Sequence, residues 1–176
     1  MPNRFPFVNS QGGQPLVRYL DTNGDGTGTN NAVADYSATS AEFFIQAPPG
    51  ESFIIHRMII SIANGNMRPD QYGGSGGALS NGIAVRMQSS RGVLDLLDGV
   101  PLTTNSDWNY VAHDRLLDEY GSATSQTLTV RWTFARFGGP LVLNGTRGDQ
   151  LVVECSDDLT GLSTHRFMIQ GYRVEL

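Results

Sequence analysis

The clearest pattern in the chain is the alternation of apolar and polar residues over Thr127–Ala135, where Leu128, Val130, Trp132 and Phe134 take one parity and Thr129, Arg131 and Thr133 the other. A period of two marks a strand with one face buried and the other in water. The spacing therefore predicts a strand that turns Leu128, Val130, Trp132 and Phe134 toward a core. Shorter runs closed by turn residues predict further strands at Leu16–Leu20, Glu42–Ala47, Gly82–Gln88, Leu94–Asp98, Leu141–Leu143, Gln150–Cys155 and Arg166–Leu176. Their stops are Pro48-Pro49-Gly50, Asp98-Gly99 and Asn144-Gly145, residue pairs that favour tight turns.

The run Phe53–Ile62 behaves differently. Phe53, Ile55, Arg57, Ile59 and Ser61 share one parity and Ile54, His56, Met58, Ile60 and Ile62 the other, and neither set is cleanly polar. This predicts a strand covered on both sides over part of its length, either mid-sandwich or beneath a second subunit. Asn64–Asn81, rich in glycine, is predicted to be a long exposed loop. Asp114–Tyr120 reads as a short helix, with a loop as the alternative. Residues 1–15, with Pro2, Pro6, Pro15 and Gly12-Gly13, read either as an extended docking arm or as a frayed terminus. In the arm reading Phe5 and Phe7 are apolar anchors, Arg4 is a cation, and the prolines limit the entropy lost on docking. Irregular spacing of the Asn-Gly pairs argues against a repeat architecture. The sum is roughly eight strands: an all-β, jelly-roll-like antiparallel β-sandwich over residues 16–176, preceded by an arm of residues 1–15.

Composition agrees. All 12 basic residues are Arg, Glu is sparse, and 21 glycines disfavour helices. A net charge of -5 and a pI near 5.0 argue against broad nucleic-acid binding, which needs a basic face. No apolar run approaches membrane-spanning length, and no secretory signal is expected at the N-terminus, so retention or assembly in a cytoplasm is the expectation. Cys155, the single cysteine, is expected to be a buried thiol.

Chemistry is sparse. Asp21, Asn23 and Asp25 alternate before Gly26 as in the first half of a calcium loop, but Ala32 stands at the twelfth position, where a bidentate Glu is needed. A glycine-rich turn is the favoured reading, with a weak cation site at Asp21, Asn23 and Asp25 as the alternative. His56 is expected to be a satisfied core or interface residue. His113 beside Asp114 sits on an opposite strand face, and His165 lies near a turn. The carboxylate pairs Asp95/Asp98, Asp118/Glu119 and Asp157/Asp158 fall at or near predicted turns. No nucleophile elbow, zinc spacing or phosphate loop occurs, so neither an enzyme, a metal nor a cofactor is expected. Trp108 and Tyr110, with Asn105 and Asp107 nearby, suit stacking on a sugar ring. The other reading has Trp108 closing one end of the core or inserting into a partner subunit.

The strings Arg18–Thr29, Phe44–Glu51, Ile55–Met58, Asn81–Ile83 and Leu94–Pro101 together resemble the small β-rich virion proteins of tailed bacteriophages, and in particular capsid decoration (cement) proteins. That resemblance covers about the first two-thirds of the chain. It implies a jelly-roll-like domain on the outside of a capsid, assembled in the host cytoplasm, often trimeric, that staples neighbouring major capsid proteins. It further implies a docking role for Arg4, Phe5 and Phe7, and subunit contacts from Ile55, Arg57, Met58 and Ile59. The competing expectation is a carbohydrate-binding sandwich of a tail or receptor-binding apparatus, using Trp108 and Tyr110.

Overall fold

The computed structural model describes residues 13–28, 30–112, 114–119, 125–134 and 138–176. Its elements in chain order are β1 (Gln14–Tyr19), β2 (Ala41–Gln46), β3 (Glu51–Ala63), β4 (Ile83–Ser89), β5 (Gly92–Asp95), α1 (Trp108–Val111), β6 (Asp114–Glu119), β7 (Gln126–Thr133), β8 (Leu141–Asn144), β9 (Gln150–Cys155) and β10 (Thr164–Glu175). One sheet runs β1-β10-β3-β7-β6, with β8 beside the first part of β3, and the second runs β2-β9-β4-β5.

The antiparallel pairs are nested. β1 pairs with β10, β2 with β9, β3 with β8 and β4 with β5, while β10 joins β3 and β9 joins β4 within the sheets. This is the order of a hairpin wrapped into a jelly roll. β6 and β7 fall between β5 and β8 in the chain and extend the first sheet along the second half of β3. The expectation of a jelly-roll-like sandwich holds. Asp114–Glu119, read from sequence as a helix or loop, is instead the outermost strand of that sheet.

The core is filled by the inward parity of each strand. Leu128, Val130 and Trp132 of β7, with Phe134 just beyond it, are completely buried, whereas Arg131 is exposed. Facing them across the sandwich are residues of the second sheet such as Ile45, Val85, Leu151 and Val153. Each large apolar side chain so buried contributes about 1.5–3 kcal/mol, so this alternation supplies much of the drive to fold.

β3 holds the central position that its apolar content implied, but its mixed parity has another cause. Phe53 and Ile55 point inward, as do Met58, Ile60 and Ile62. The inward set switches parity in between, because β10 pairs Gly171 with Ile55 and Gln170 with Arg57, leaving His56 as an extra residue. A β-bulge at His56 thus turns both His56 and Arg57 to solvent. Gly171 is the matching adaptation, since a Cβ there would collide with the carbonyl of Ile54. Within this chain the outward residues of β3 from Ile54 onward remain partly exposed. The strand changes parity at a bulge.

Two connections shape the ends. After β1, the chain crosses to the second sheet: the N–H of Asp21 donates to the carbonyl of Phe44 (3.2 Å), that of Phe44 to Asp21 (2.9 Å), and that of Gln46 to Gly24 (2.8 Å). Residues 21–24 therefore cover the free edge of β2 and hide its unpaired backbone groups. The glycine-rich stretch 64–81 is not simply exposed, as its composition implied. Tyr72 within it is completely buried and Met67 and Leu79 are nearly so, making the segment a plug over one end of the sandwich. At the N-terminus β1 takes in Gln14 and Pro15, so the strand begins two residues inside the stretch read as an arm. The candidate docking residues Arg4, Phe5 and Phe7 lie outside the described residues.

Candidate functional site

Two of the titratable groups, His165 and Cys155, are locked inside the fold. His165 is completely buried, its Nε2 lies 2.9 Å from the Tyr72 hydroxyl, and its ring packs edge-on against Phe167. Burial pushes its pKa down to about 3, so the imidazole is neutral, and the same burial drives the Tyr72 phenol well above its usual range. Cys155 is also completely buried, and burial followed by the Asp157 charge raises its thiol to about 12. A nucleophile must reach a substrate as a thiolate, and this one is neither ionised nor accessible. His56 is exposed, with its ring centroid 5.3 Å from that of Tyr172 on the outer face of the first sheet. His113 lies outside the described residues.

The carboxylates act as backbone clasps. Asp157 accepts from the N–H groups of Ser80, Asn81 and Gly82 at 2.8–3.1 Å, tying the end of the plug to the turn after β9. Asp95 similarly accepts from Leu97 and Gly99, and Asp158 from Thr160. In the loop first read as half a calcium site, Asp21 accepts N–H bonds from Asn23 (3.0 Å), Gly24 (2.6 Å) and Gly28 (3.3 Å), and Asp25 accepts from Thr27 (2.9 Å). These oxygens are turned to donors within the loop, the geometry of an Asx turn. Among the described residues no group of three or more His, Cys, Asp or Glu is placed to hold a metal ion.

Trp108 and Tyr110 point to opposite sides of the single turn of α1. Trp108 is completely buried against Tyr72, ring centroids 6.5 Å apart, while Tyr110 is 79% exposed. Trp108 thus closes one end of the core, and Tyr110 stands without it at the surface. Tyr110 instead rims a groove of ≈ 740 Å³ between the turn after β5 and α1. Leu97, Leu102 and Val111 form its floor, Val100 its other rim, and Asp98 and Asp107 its polar edge. Burial works against ionisation of Asp107, but hydrogen bonds from the Thr103 and Thr104 backbone and the Thr103 hydroxyl together hold its carboxyl below the usual range. Sequence reading missed this groove. Its signal was apolar residues (Leu96, Leu97, Val100, Leu102) persisting through a turn where polar ones are usual.

The remaining candidate is the outer face of the first sheet. Register places Tyr19, Met168, Ile59 and Arg131 in one row across four strands, Val17, Gln170, Arg57 and Thr133 in the next, and Arg166, Ser61 and Thr129 in a third. Residues directly opposite in register share a face. Three arginines, Arg57, Arg131 and Arg166, are exposed there, and the first row continues onto β6, where Asp114 lies opposite Arg131. Arg57 and Arg166 are the charged residues of the other two rows. Of the four candidate interface residues, Arg57 is exposed and Ile59 half-buried on this face, whereas Ile55 and Met58 point into the core with 0% exposure. The bulge at His56 is what divides them.

No model of a known protein family matches the chain, and no curated protein is significantly similar to it in sequence.

Proposed function

We propose that this protein is a structural component of a virion, a capsid decoration (cement) protein that docks on the outside of a shell and staples neighbouring major capsid proteins. The observation that carries this reading is the outer face of the first sheet, a broad surface across four strands where exposed Arg57 and Arg166 flank half-buried Ile59 and Met168. A surface of this kind suits docking on an acidic protein, with apolar area in the middle and charges that steer the encounter. The jelly-roll sandwich supplies a rigid platform for it. Many symmetry-related copies would each add a modest contact, and the shell would gain resistance to internal pressure by avidity.

The test is co-sedimentation with capsids of the phage that carries the gene. Binding that weakens with added salt, and falls at least tenfold in Arg57→Glu/Arg166→Glu, is the expected result. The carbohydrate-binding reading leaves Tyr110 without Trp108 as a stacking partner, since Trp108 is buried in the core.

A further inference from the structure

Exposed apolar side chains are concentrated in one stretch of the chain. Among the described residues, seven large hydrophobics are exposed, and four of them (Val93, Leu94, Val100 and Tyr110) fall in the stretch from β5 through α1. Val100 and Tyr110 border the groove floored by Leu97, Leu102 and Val111, whose volume of ≈ 740 Å³ is in the range of small-ligand pockets, while Val93 and Leu94 lie outside it on β5. The charged lining residues of this groove are both acidic, Asp98 and Asp107. Asp98 has positive φ (53°), as does Gly99 (79°), and the Val100 N–H bonds back to Leu97 at 3.0 Å. This turn of the primed type holds Val100 out from the domain.

The chain contains a segment of matching chemistry. Arg4-Phe5-Pro6-Phe7 offers two aromatic rings, a backbone stiffened by Pro6, and Arg4, the one charged side chain in residues 1–13. The geometry points to this groove as the docking site for the N-terminal segment of a second copy of the chain, with Phe5 and Phe7 in the apolar floor and Arg4 against Asp98 and Asp107.

Topology favours a neighbour's segment over the chain's own. β1 lies on the β2 flank, because residues 21–24 pass directly from β1 to pair with β2, and β5 is at the opposite edge of the second sheet. From Gly13 to Phe7 an extended chain spans at most about 20 Å. The route round the sandwich crosses three strand spacings of about 4.8 Å and the ~10 Å between sheets, which together exceed that reach. Exchange between copies is head-to-tail and closes into a ring when the rotation allows. The proposal deepens the decoration reading by giving the arm to a neighbouring copy and leaving the shell to the first sheet.

The test needs no capsids, so its failure is distinguishable from failure of the decoration reading. Full-length Phe7→Cys and Val100→Cys proteins are mixed and oxidised; Cys155, buried and with its thiol raised to about 12, does not compete. A disulfide-linked dimer of the two variants is expected on a non-reducing gel. By light scattering, the wild type is expected to be a multimer, and Val100→Glu and Phe5→Asp/Phe7→Asp monomers that still unfold cooperatively, with midpoints that no longer depend on protein concentration. A monomeric wild type, a multimer that persists in both variants, or failure of the mixed pair to crosslink would overturn the proposal.

Discussion

The Tyr72 hydroxyl and His165 Nε2 meet at 2.9 Å in a part of the molecule where neither residue has any exposed surface. The pair joins the plug over the sandwich end to β10. It also makes stability depend on His165 remaining neutral.

Because the folded pKa of His165, about 3, lies below the unfolded value near 6.5, the native state binds fewer protons than the unfolded chain between those limits. Its contribution is intact above pH ~6.5 and is lost as pH falls, at about 1.4 kcal/mol per unit. Urea unfolding between pH 7 and 4.5 should show this slope, and His165→Gln should flatten it while keeping a partner for Tyr72. An unchanged slope in the variant would contradict the assignment.

The bulge at His56 gives adjacent residues of β3 opposite fates. Met58→Asp should lower stability by about 3–5 kcal/mol or prevent folding, because it leaves an unpaired carboxylate in the core. Ile59→Asp, on the outer face, should fold with a change of under about 1 kcal/mol and weaken capsid association. Thermal unfolding and light scattering of the two variants separate these outcomes. Similar destabilisation by both would mean that the register at the bulge is wrong.

How much of this was readable follows the same line. β7 announced itself because Thr129, Arg131 and Thr133 interrupt its apolar residues without a break in parity. β3 did not, because an inserted residue moves its inward set from Phe53 and Ile55 to Met58, Ile60 and Ile62, and a bulge leaves no local signature in sequence. Two interface candidates, Ile55 and Met58, were consequently drawn from the core. The stretch 64–81 was read as exposed from its glycines, yet Tyr72 is held inside by a partner 93 residues away. β6 resembled a helix because its strand character comes from pairing with β7, a tertiary contact that overrides local preference.

The Asp21 clasp yields a prediction about cations. Asp21→Ala removes the acceptor for three backbone N–H groups and should cost about 1–3 kcal/mol, measured by chemical denaturation. EDTA or millimolar calcium should leave the wild-type melting temperature unchanged. A rise with calcium that disappears in Asp21→Ala would restore the cation reading.

A glycan array probed with and without EDTA addresses the carbohydrate alternative. With Trp108 in the core, Tyr110→Ala should change no glycan signal above background. Saturable, Tyr110-dependent binding to a defined sugar would move the function from the shell to receptor recognition.

The central claim, that the arginine-bearing face of the first sheet docks on a capsid, is tested most directly by co-sedimentation of the full-length protein with phage capsids at low and high salt. Charges on an exposed face are screened within about 8–10 Å at 0.1–0.15 M ionic strength, so binding should weaken as salt rises. It should also fall at least tenfold in Arg57→Glu/Arg166→Glu, with that variant still folded. Wild-type protein left entirely in the supernatant, or binding indifferent to both salt and the double substitution, would contradict the account.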